Sequence, residues 1–367
     1  MRESTYNYNH NYNAAVIKPL TSLRFIFAFM IFLGHFILFE ENEYPFLNFV
    51  LHEGNIAMCF FFTLSGFILS YNYQQRLIEG QPIEKKIFFV SRFARIYPLH
   101  IFTLLLWLWI YKGGPFDSSF ITNFLLNITL LQSFFPIEGI KFNAVSWSLS
   151  DELFFYLLFP FIVFWAVKHW RSFIIFFSVF IVIIIIASGL LSNHTLSKWI
   201  FYTSPYLRLA DFTIGVLLFN ICKSGKLDKW REKLSPTLLE VSVILLLIGV
   251  LCASFYLPVV LSHAICYWLP ISFFIFVFYY QSGRISKFLS KRYWMLLGEI
   301  SFSFFMLHTF IIWYTRRLVA IFDLDVPLFG VFLFAVLTTI FVSFFSFKYL
   351  ETPFYNKIKR FFLSRSK

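Results

Sequence analysis

Long apolar segments recur along the whole chain, and each is about as long as a helix must be to cross a lipid bilayer. A spanning helix needs about 20 apolar residues to cross ~30 Å of hydrocarbon. Because 59% of the residues are hydrophobic and only 14% are charged, the composition is that of an integral membrane protein. The pattern therefore predicts an all-α, polytopic membrane protein. The apolar segments lie near residues 19–39, 52–72, 97–112, 119–135, 147–167, 172–192, 201–222, 237–255, 259–280, 294–314 and 327–349.

One of these segments differs from the others because polar side chains interrupt it. The stretch 119–135 contains Asn123, Asn127 and Gln132, which would lose their hydrogen bonds to water inside hydrocarbon. We therefore predict about ten transmembrane helices, with 119–135 as a re-entrant or lateral helix on the outer side. An even number of crossings places both chain termini on the same side of the membrane.

The basic residues indicate which side that is. A net charge of +12 could point to a nucleic-acid partner, but the 31 Lys and Arg residues are distributed loop by loop. Ten crossings with a cytoplasmic amino terminus put most of them on the cytoplasmic side, as the positive-inside rule requires. We predict a multi-pass protein of the inner (plasma) membrane with both termini in the cytoplasm. Its expected partners include membrane lipids and exclude nucleic acid.

The chain divides into one membrane domain and two short tails. Residues 1–17 form a Tyr/Asn-rich stretch typical of a disordered tail, 18–353 hold the apolar segments, and 354–367 form a basic cytoplasmic tail. The first apolar segment lacks the basic region and the cleavage site of a signal peptide, so we expect it to be retained. The four cysteines have no spacing typical of zinc ligands, and we expect free thiols and no metal site.

Ionisable side chains inside the first apolar segment are the earliest indication of chemistry. Arg24 and His35 are eleven residues apart, which places them on one stripe of a helix and about 16 Å apart along its axis. Arg24 can instead extend to the lipid headgroups, and His35 can simply bond a neighbouring helix. Ionisable groups at this depth are costly, however, and usually face a cavity or a proton relay.

Two carboxylates at the start of a later segment can complete such a site. Asp151 and Glu152 lie in the first turns of 146–160, a segment that enters from the outer side in this topology. A carboxylate beside a buried imidazole raises its basicity, so that the imidazole can act as a general base toward a hydroxyl. His35, with Glu152 or Asp151, is therefore the candidate catalytic group.

Two arginines on the cytoplasmic side form a second candidate site. Arg92 and Arg95 are one helical turn apart in the inner stretch 85–100. Two guanidinium groups on one face suit the oxygens of a phosphate. The same charges could instead meet anionic lipid headgroups and serve topology alone. A different pair, Arg208 and Asp211, is expected to form an intrahelical ion pair with a structural role.

Together these stretches resemble the acyltransferase-3 family, whose membrane proteins O-acylate cell-envelope glycans and other extracytoplasmic acceptors. The resemblance runs in order along nearly the whole chain. It rests on Arg24 and His35 with ten residues between them, FFTLSGFIL (61–69), RFARIYP (92–98), SWSLSDELFFYLLFP (146–160), LGEISFSFFMLHTFI (297–311) and YLETP (349–353).

The resemblance implies a ten-helix fold and an acyl-CoA donor, usually acetyl-CoA, that is used from the cytoplasm. It also implies an acceptor hydroxyl on a cell-envelope polysaccharide or lipid-linked glycan. The form resembled is the stand-alone one, without the extracytoplasmic hydrolase-like domain that one branch carries. The positions carried over are, for donor binding, Arg24, Ser65, Arg92 and Arg95, and, for catalysis, His35 and Glu152, with Asp151 as the alternative acid.

Several alternatives stay open at this point. A proton-coupled secondary transporter also places His, Arg and Glu inside the membrane, although the two-fold repeat typical of transporters is not evident. A structural or lipid-binding protein would leave His35 and Glu152 without a role. In an acyltransferase, His35 or Ser65 could carry the acyl group transiently. Ser65 could equally be a packing residue, a direct role for His308 is open, and Glu351 is expected to cap a helix or pair structurally.

Overall fold

The apolar segments fold into helices, as the sequence predicts. The computed structural model describes residues 16–36, 45–79, 82–110, 118–136, 142–191, 196, 199–258 and 261–363, and these contain no β-strand. The α-helices are α1 (Lys18–Phe36), α2 (Pro45–His52), α3 (Asn55–Glu79), α4 (Pro82–Ile110), α5 (Ser118–Ile128), α6 (Trp147–Lys168), α7 (Trp170–Leu191), α8 (Pro205–Lys223), α9 (Asp228–Glu232), α10 (Pro236–Ser254), α11 (Cys266–Tyr279), α12 (Arg284–Leu289), α13 (Arg292–Ile321), α14 (Leu328–Ser346) and α15 (Thr352–Leu363).

The number of membrane-spanning helices agrees with the prediction. In the part of the chain that the structure describes, 10 helices are long and apolar enough to cross a membrane. They are α1, α3, α4, α6, α7, α8, α10, α11, α13 and α14. Of the predicted tails, residues 1–15 and 364–367 lie outside the described residues, whereas most of 354–367 belongs to α15.

The polar segment 119–135 is too short a helix to cross. α5 has 11 residues, or about 16 Å of helix, which is roughly half the thickness of the hydrocarbon layer. The chain then turns at Leu130, whose φ of 56° ends the helical path. Asn123 and Asn127 are buried against neighbouring helices and do not face lipid.

The stretch that carries Arg92 and Arg95 belongs to a helix. The sequence places 85–100 in an inner loop before an apolar segment at 97–112, but α4 begins at Pro82. Its early turns are held by apolar packing, since the ring of Phe88 stacks on Phe159 of α6 with 5.4 Å between centroids. Both arginines are therefore fixed on a packed helix and not on a loop.

Two close helix crossings organise the core. α3 packs most extensively on α8, and α1 on α13. A Cβ atom on Gly66 of α3 would collide with the carbonyl oxygen of Phe212, and one on Gly215 of α8 with that of Thr63. Small residues are what allow membrane helices to approach so closely. At the other crossing, Gly298 of α13 packs in the same way against the carbonyl of Thr21.

Candidate active site

A cavity of about 240 Å³ lies beside the amino-terminal half of α1. We call it the arginine cavity. It also lies beside the middle of α3 and the first half of α4. Its polar lining consists of Thr21, Arg24, Ser65, Asn72, Arg92, Arg95, Ser148, Glu152, Tyr156 and Ser301.

The carboxylate of Glu152 is the centre of charge in the arginine cavity. Glu152 lies within electrostatic reach of Arg24, Arg92 and Arg95, and its side chain hydrogen-bonds with Tyr156. Residues 24 and 152 reach the same cavity because α1 and α6 both present these positions to the space beside α3. The cavity is therefore a cationic pocket with a carboxylate inside it.

Two of the three arginines are held by neighbours. The Arg92 Nη2 donates to the hydroxyl of Tyr73 at 3.3 Å, and its guanidinium lies 5.4 Å from the centre of the Tyr73 ring. The Arg95 Nη1 lies 3.1 Å from Glu351 Oε2, and Glu351 in turn accepts a hydrogen bond from Ser303. The pairing predicted for Glu351 is therefore confirmed, with Arg95 as its partner.

Ser65 has a partner that the sequence did not indicate. The hydroxyl of Tyr156 hydrogen-bonds with both Ser65 and Glu152. Because all three side chains line the arginine cavity, Ser65 is more than a packing residue of the α3–α8 crossing. The packing role falls to the next residue, Gly66.

A second and larger cavity lies beside the carboxy-terminal end of α1 and the amino-terminal end of α3. We call it the histidine cavity; its volume is about 450 Å³. His35 at the carboxy-terminal end of α1 lines it, together with the residues that precede and begin α6. Its other polar and aromatic lining residues are Asn127, Gln132, Ser133, Phe135, Asn143, Ser146, Trp147, Trp199, Tyr202, Thr203 and Phe305.

A second imidazole holds His35. The Nδ1 atom of His35 lies 2.9 Å from the carbonyl oxygen of Ile31 and 3.2 Å from Nε2 of His308. His308 of α13 is fully buried, and its Nδ1 lies 2.6 Å from the carbonyl oxygen of Phe305. The two rings meet edge to face, with 5.0 Å between their centres.

The walls of the histidine cavity combine fixed aromatic rings with amide groups. The indole Nε1 of Trp199 donates to the carbonyl of Ser133 at 2.9 Å, which fixes the plane of the ring. The amide nitrogen of Gln132 donates to the carbonyl of Ser146 at 2.9 Å. Its oxygen, Oε1, accepts no hydrogen bond from the described residues.

The two cavities are separated by very little protein. Among their described lining residues, only Met58 of α3 and Phe305 of α13 line both. Arg24 and His35 are contributed by the same helix, about 16 Å apart along its axis. A long, narrow molecule could therefore extend from one cavity into the other.

The structure does not bring His35 and Glu152 together. Glu152 lines the arginine cavity and His35 the histidine cavity, so the expected contact between these two side chains is not made. Among the described residues, the side chain that contacts the His35 ring nitrogen is that of His308. Asp151 is fully buried near Ser133 and is not among the described residues that line either cavity. Adjacent positions on a helix point about 100° apart, which is why the two acids have different surroundings.

Arg208 and Asp211 form the intrahelical ion pair that the sequence predicts. Both side chains are completely buried, with 3.1 Å between Nη1 and Oδ2. Asp211 also accepts a hydrogen bond from the indole of Trp268, and Arg208 Nε donates to the carbonyl of Tyr202 at 2.8 Å. These contacts tie α8 to its neighbours behind the histidine cavity.

Two residues of the site were missed or left open by the sequence. Tyr156 lies one helical turn after Glu152, and that spacing is the signal that could have placed it in the same cavity. Gly298 of α13 packs against Thr21 of α1. His308 follows Gly298 by ten residues, and His35 follows Thr21 by fourteen, so the two histidines lie within about one helical turn of each other along the helix axes. The contact between Gly298 and Thr21 is therefore what the sequence lacks to bring them together.

Comparison with known proteins assigns the family. The acyltransferase-3 family model, described as an acyltransferase domain, matches residues 18–348. Acyltransferase MdmB of Streptomyces mycarofaciens is 28% identical over 330 residues, which cover 82% of this chain and 80% of the relative. Protein 2 in picA locus of Rhizobium radiobacter is 45% identical over 51 residues, which cover 14% of this chain and 26% of that protein. No solved structure gives a significant match. The match spans all of the membrane domain apart from its last residues, and the chain therefore belongs to the acyltransferase-3 family.

Proposed function

We propose that this membrane acyltransferase moves an acyl group, acetyl in the simplest case, from acyl-CoA to a hydroxyl of a cell-envelope polysaccharide or lipid-linked glycan. The observation that supports this most is the arrangement of the two cavities. One holds guanidinium groups and the other an imidazole, at opposite ends of α1, with two lining residues in common. The proposal places the arginine cavity on the cytoplasmic side of the inner membrane.

The charges of the arginine cavity suit a coenzyme with phosphate groups. Three arginines and one carboxylate, Glu152, line the pocket, so its lining carries a positive surplus. Glu351 and Glu299 approach Arg95 from outside that lining. Arginine forks bind phosphate oxygens with two parallel hydrogen bonds. Held there by its phosphates, acyl-CoA could extend its narrow pantetheine arm along α1 toward His35.

The lining of the histidine cavity suits a sugar. The rings of Trp147, Trp199 and Tyr202 offer flat apolar surfaces for the faces of a pyranose, and the polar side chains that line the same cavity offer partners for its hydroxyls. A volume of about 450 Å³ is within the range of small-molecule sites. His35 then lies beside the acceptor.

The chemistry proposed for His35 is general base catalysis. Because a carbonyl only accepts, the contact of Nδ1 with Ile31 puts the ring proton on Nδ1 and the lone pair on Nε2. Nε2 removes the hydroxyl proton while the oxygen bonds to the thioester carbonyl carbon. The tetrahedral intermediate then breaks its C–S bond, and the coenzyme thiolate takes the proton back from Nε2. The ester and free coenzyme are the products.

Two other schemes make different predictions. If Ser65 or His35 carried the acyl group, radiolabelled acyl-CoA without acceptor would label the protein, and hydroxylamine would remove the label. The direct scheme predicts no such label, and Ser65→Ala is then expected to keep most of the transfer activity. Membership of an acyltransferase family favours group transfer over the proton-coupled transport that the intramembrane charges also allow.

The proposal is tested with purified protein and with cells. Protein in liposomes is given radiolabelled acetyl-CoA and envelope glycans from a strain that lacks the protein. We expect label in a hydroxylamine-sensitive ester on the glycan, absent with His35→Ala, and loss of the matching acetyl mass increment from the glycans of the deletion strain. Label that never leaves acetyl-CoA with any glycan fraction, together with unchanged glycans in the deletion strain, would contradict it.

A further inference from the structure

His308 is fully buried and contacts His35, the proposed base. The contacts of its two ring nitrogens determine which of them carries a proton. Its Nδ1 lies 2.6 Å from the carbonyl oxygen of Phe305, which can only accept, so Nδ1 carries a proton. Its Nε2 faces the protonated Nδ1 of His35 at 3.2 Å and must therefore present a lone pair. His308 is thus neutral, with a donor at one end of the ring and an acceptor at the other.

The contact to His308 restrains the orientation of the His35 ring, which the contact within its own helix does not. The carbonyl of Ile31 already accepts the backbone hydrogen bond of α1 from residue 35, so it is a shared partner for the imidazole. It also allows the ring to swing about its Cβ–Cγ bond. The Nε2 of His308 comes from another helix, and a second acceptor on Nδ1 leaves only one orientation in which both contacts are made.

We propose that His308 is a positioning residue for acyl transfer, which holds His35 in the tautomer and orientation that direct Nε2 toward the acceptor hydroxyl. This inference rests on the proposed function. When Nε2 takes the hydroxyl proton, His35 becomes an imidazolium, and its Nδ1–H then donates more strongly to His308 and Ile31. No ring has to turn during the reaction, and the proton on Nδ1 of each histidine stays where it is.

Two substitutions separate positioning from packing. In His308→Gln the side-chain amide reaches the place of Nε2, and its oxygen can accept from His35. In His308→Asn the shorter amide can still donate to the carbonyl of Phe305, as Nδ1 does, but stops short of His35. Both variants put an amide into the same buried space, so a purely structural role predicts similar results for the two.

The first measurement is kinetic, in liposomes with acetyl-CoA and the glycan acceptor. We expect His308→Gln to keep kcat within about threefold of the unaltered protein. We expect His308→Asn to lose about 100-fold in kcat, in line with the contribution of a placed general base, while the KM for acetyl-CoA stays the same. Equal kcat values in the two variants, whether both high or both low, would overturn the inference.

The second measurement does not depend on activity. The protein has 8 histidines, and ¹⁵N labelling of their rings, with His35→Ala to assign the signal, reports which nitrogen of His35 carries the proton. We expect the proton on Nδ1 in the unaltered protein and in His308→Gln, and a mixture of tautomers in His308→Asn. A His35 signal that is the same in both variants would overturn the inference. If the tautomers behave as expected but no acyl group is transferred, the positioning stands and the proposed function fails.

Discussion

Met58 of α3 and Phe305 of α13 line both the arginine cavity and the histidine cavity, so these two side chains form a partition between them. Both are nearly buried, at 4% and 8% exposure. The ring of Phe305 is held between Phe61 and His308, with 6.2 and 6.0 Å between centres. The side chain of Met58 is unbranched and can change rotamer at little cost, so it can move aside more easily than the ring of Phe305. In the proposed function, a thioester that extends from the arginine cavity to His35 passes these two side chains.

Filling the partition should stop transfer without stopping donor binding. Met58→Trp adds bulk where, in the proposed function, the acyl group has to pass, and it leaves unchanged the arginines that are proposed to hold the coenzyme. We expect the Kd for acetyl-CoA, measured by titration calorimetry, to change less than threefold. We expect transfer to fall about 100-fold, the effect of displacing a reacting group by roughly 1 Å. Weakened donor binding with unchanged kcat would show that Met58 is part of the coenzyme site instead.

Opening the partition should have the opposite effect. In Met58→Ala, water from the histidine cavity can reach the thioester, and we expect hydrolysis of acetyl-CoA to rise about tenfold relative to transfer. Met306→Ala is the matched control, because Met306 is fully buried on α13 and is not among the described residues that line either cavity. The control should lose stability by a similar amount and keep hydrolysis low.

Arg92 should contribute mainly to holding the donor. Its Nη2 contact to Tyr73 lies on the wall of the arginine cavity, and the rest of the guanidinium can bind phosphate. Losing one charge-assisted contact of about 1.5 kcal/mol in Arg92→Ala should raise the KM for acetyl-CoA about tenfold, with kcat nearly unchanged. An equal fall in kcat at saturating donor would instead place Arg92 in the chemical step.

Arg95 should contribute to stability as well as to binding. Its partner Glu351 is 2% exposed in its side chain, so Arg95→Ala leaves a buried carboxylate without its counter-ion. Breaking such a pair costs about 3 kcal/mol, whereas removing both charges is much less costly. The double variant with Glu351→Gln should therefore recover most of the lost thermal stability but not the donor binding. A double variant with the same low melting temperature as Arg95→Ala would mean that the pair does not stabilise the fold.

The crossing of α3 and α8 should not tolerate a methyl group. Gly66→Ala places a Cβ against the carbonyl oxygen of Phe212, and the helices must separate. We expect a loss of about 1–3 kcal/mol or more, seen as a lower melting temperature in detergent. Gly249→Ala on α10 is the control, since nothing lies within 4 Å of its added Cβ. A control that is as unstable as Gly66→Ala would mean that the crossing is not the cause.

Much of the architecture could be predicted because the length of an apolar segment can be read from consecutive residues, without knowing what the segment packs against. Each spanning helix corresponds to about 20 successive apolar residues. The polar residues Asn123 and Gln132 interrupt one such segment, and that interruption predicts the helix that does not cross. The spacing of Arg24 and His35 likewise predicted one stripe of one helix. The early part of α4 was mistaken for a loop because its charges masked a packed apolar face around Phe88.

The pairing of groups between helices could not be predicted in this way. His35 contacts His308, which is 273 residues away, and their contact depends on how α1 and α13 cross at Gly298. Which of Asp151 and Glu152 faces a cavity depends on the rotation of α6, which packing sets. The roles of His35, Glu152 and the arginines in catalysis and binding stay predictions.

Transfer between opposite sides of a membrane tests the account most directly. Liposomes that contain the purified protein are given radiolabelled acetyl-CoA on one side and the glycan acceptor on the other. The account predicts that label crosses to the acceptor in the orientation that presents the arginine cavity to the coenzyme. It also predicts that His35→Ala abolishes this transfer but still binds acetyl-CoA. Label that appears only when both substrates are on the same side, or unchanged transfer by His35→Ala, would contradict it.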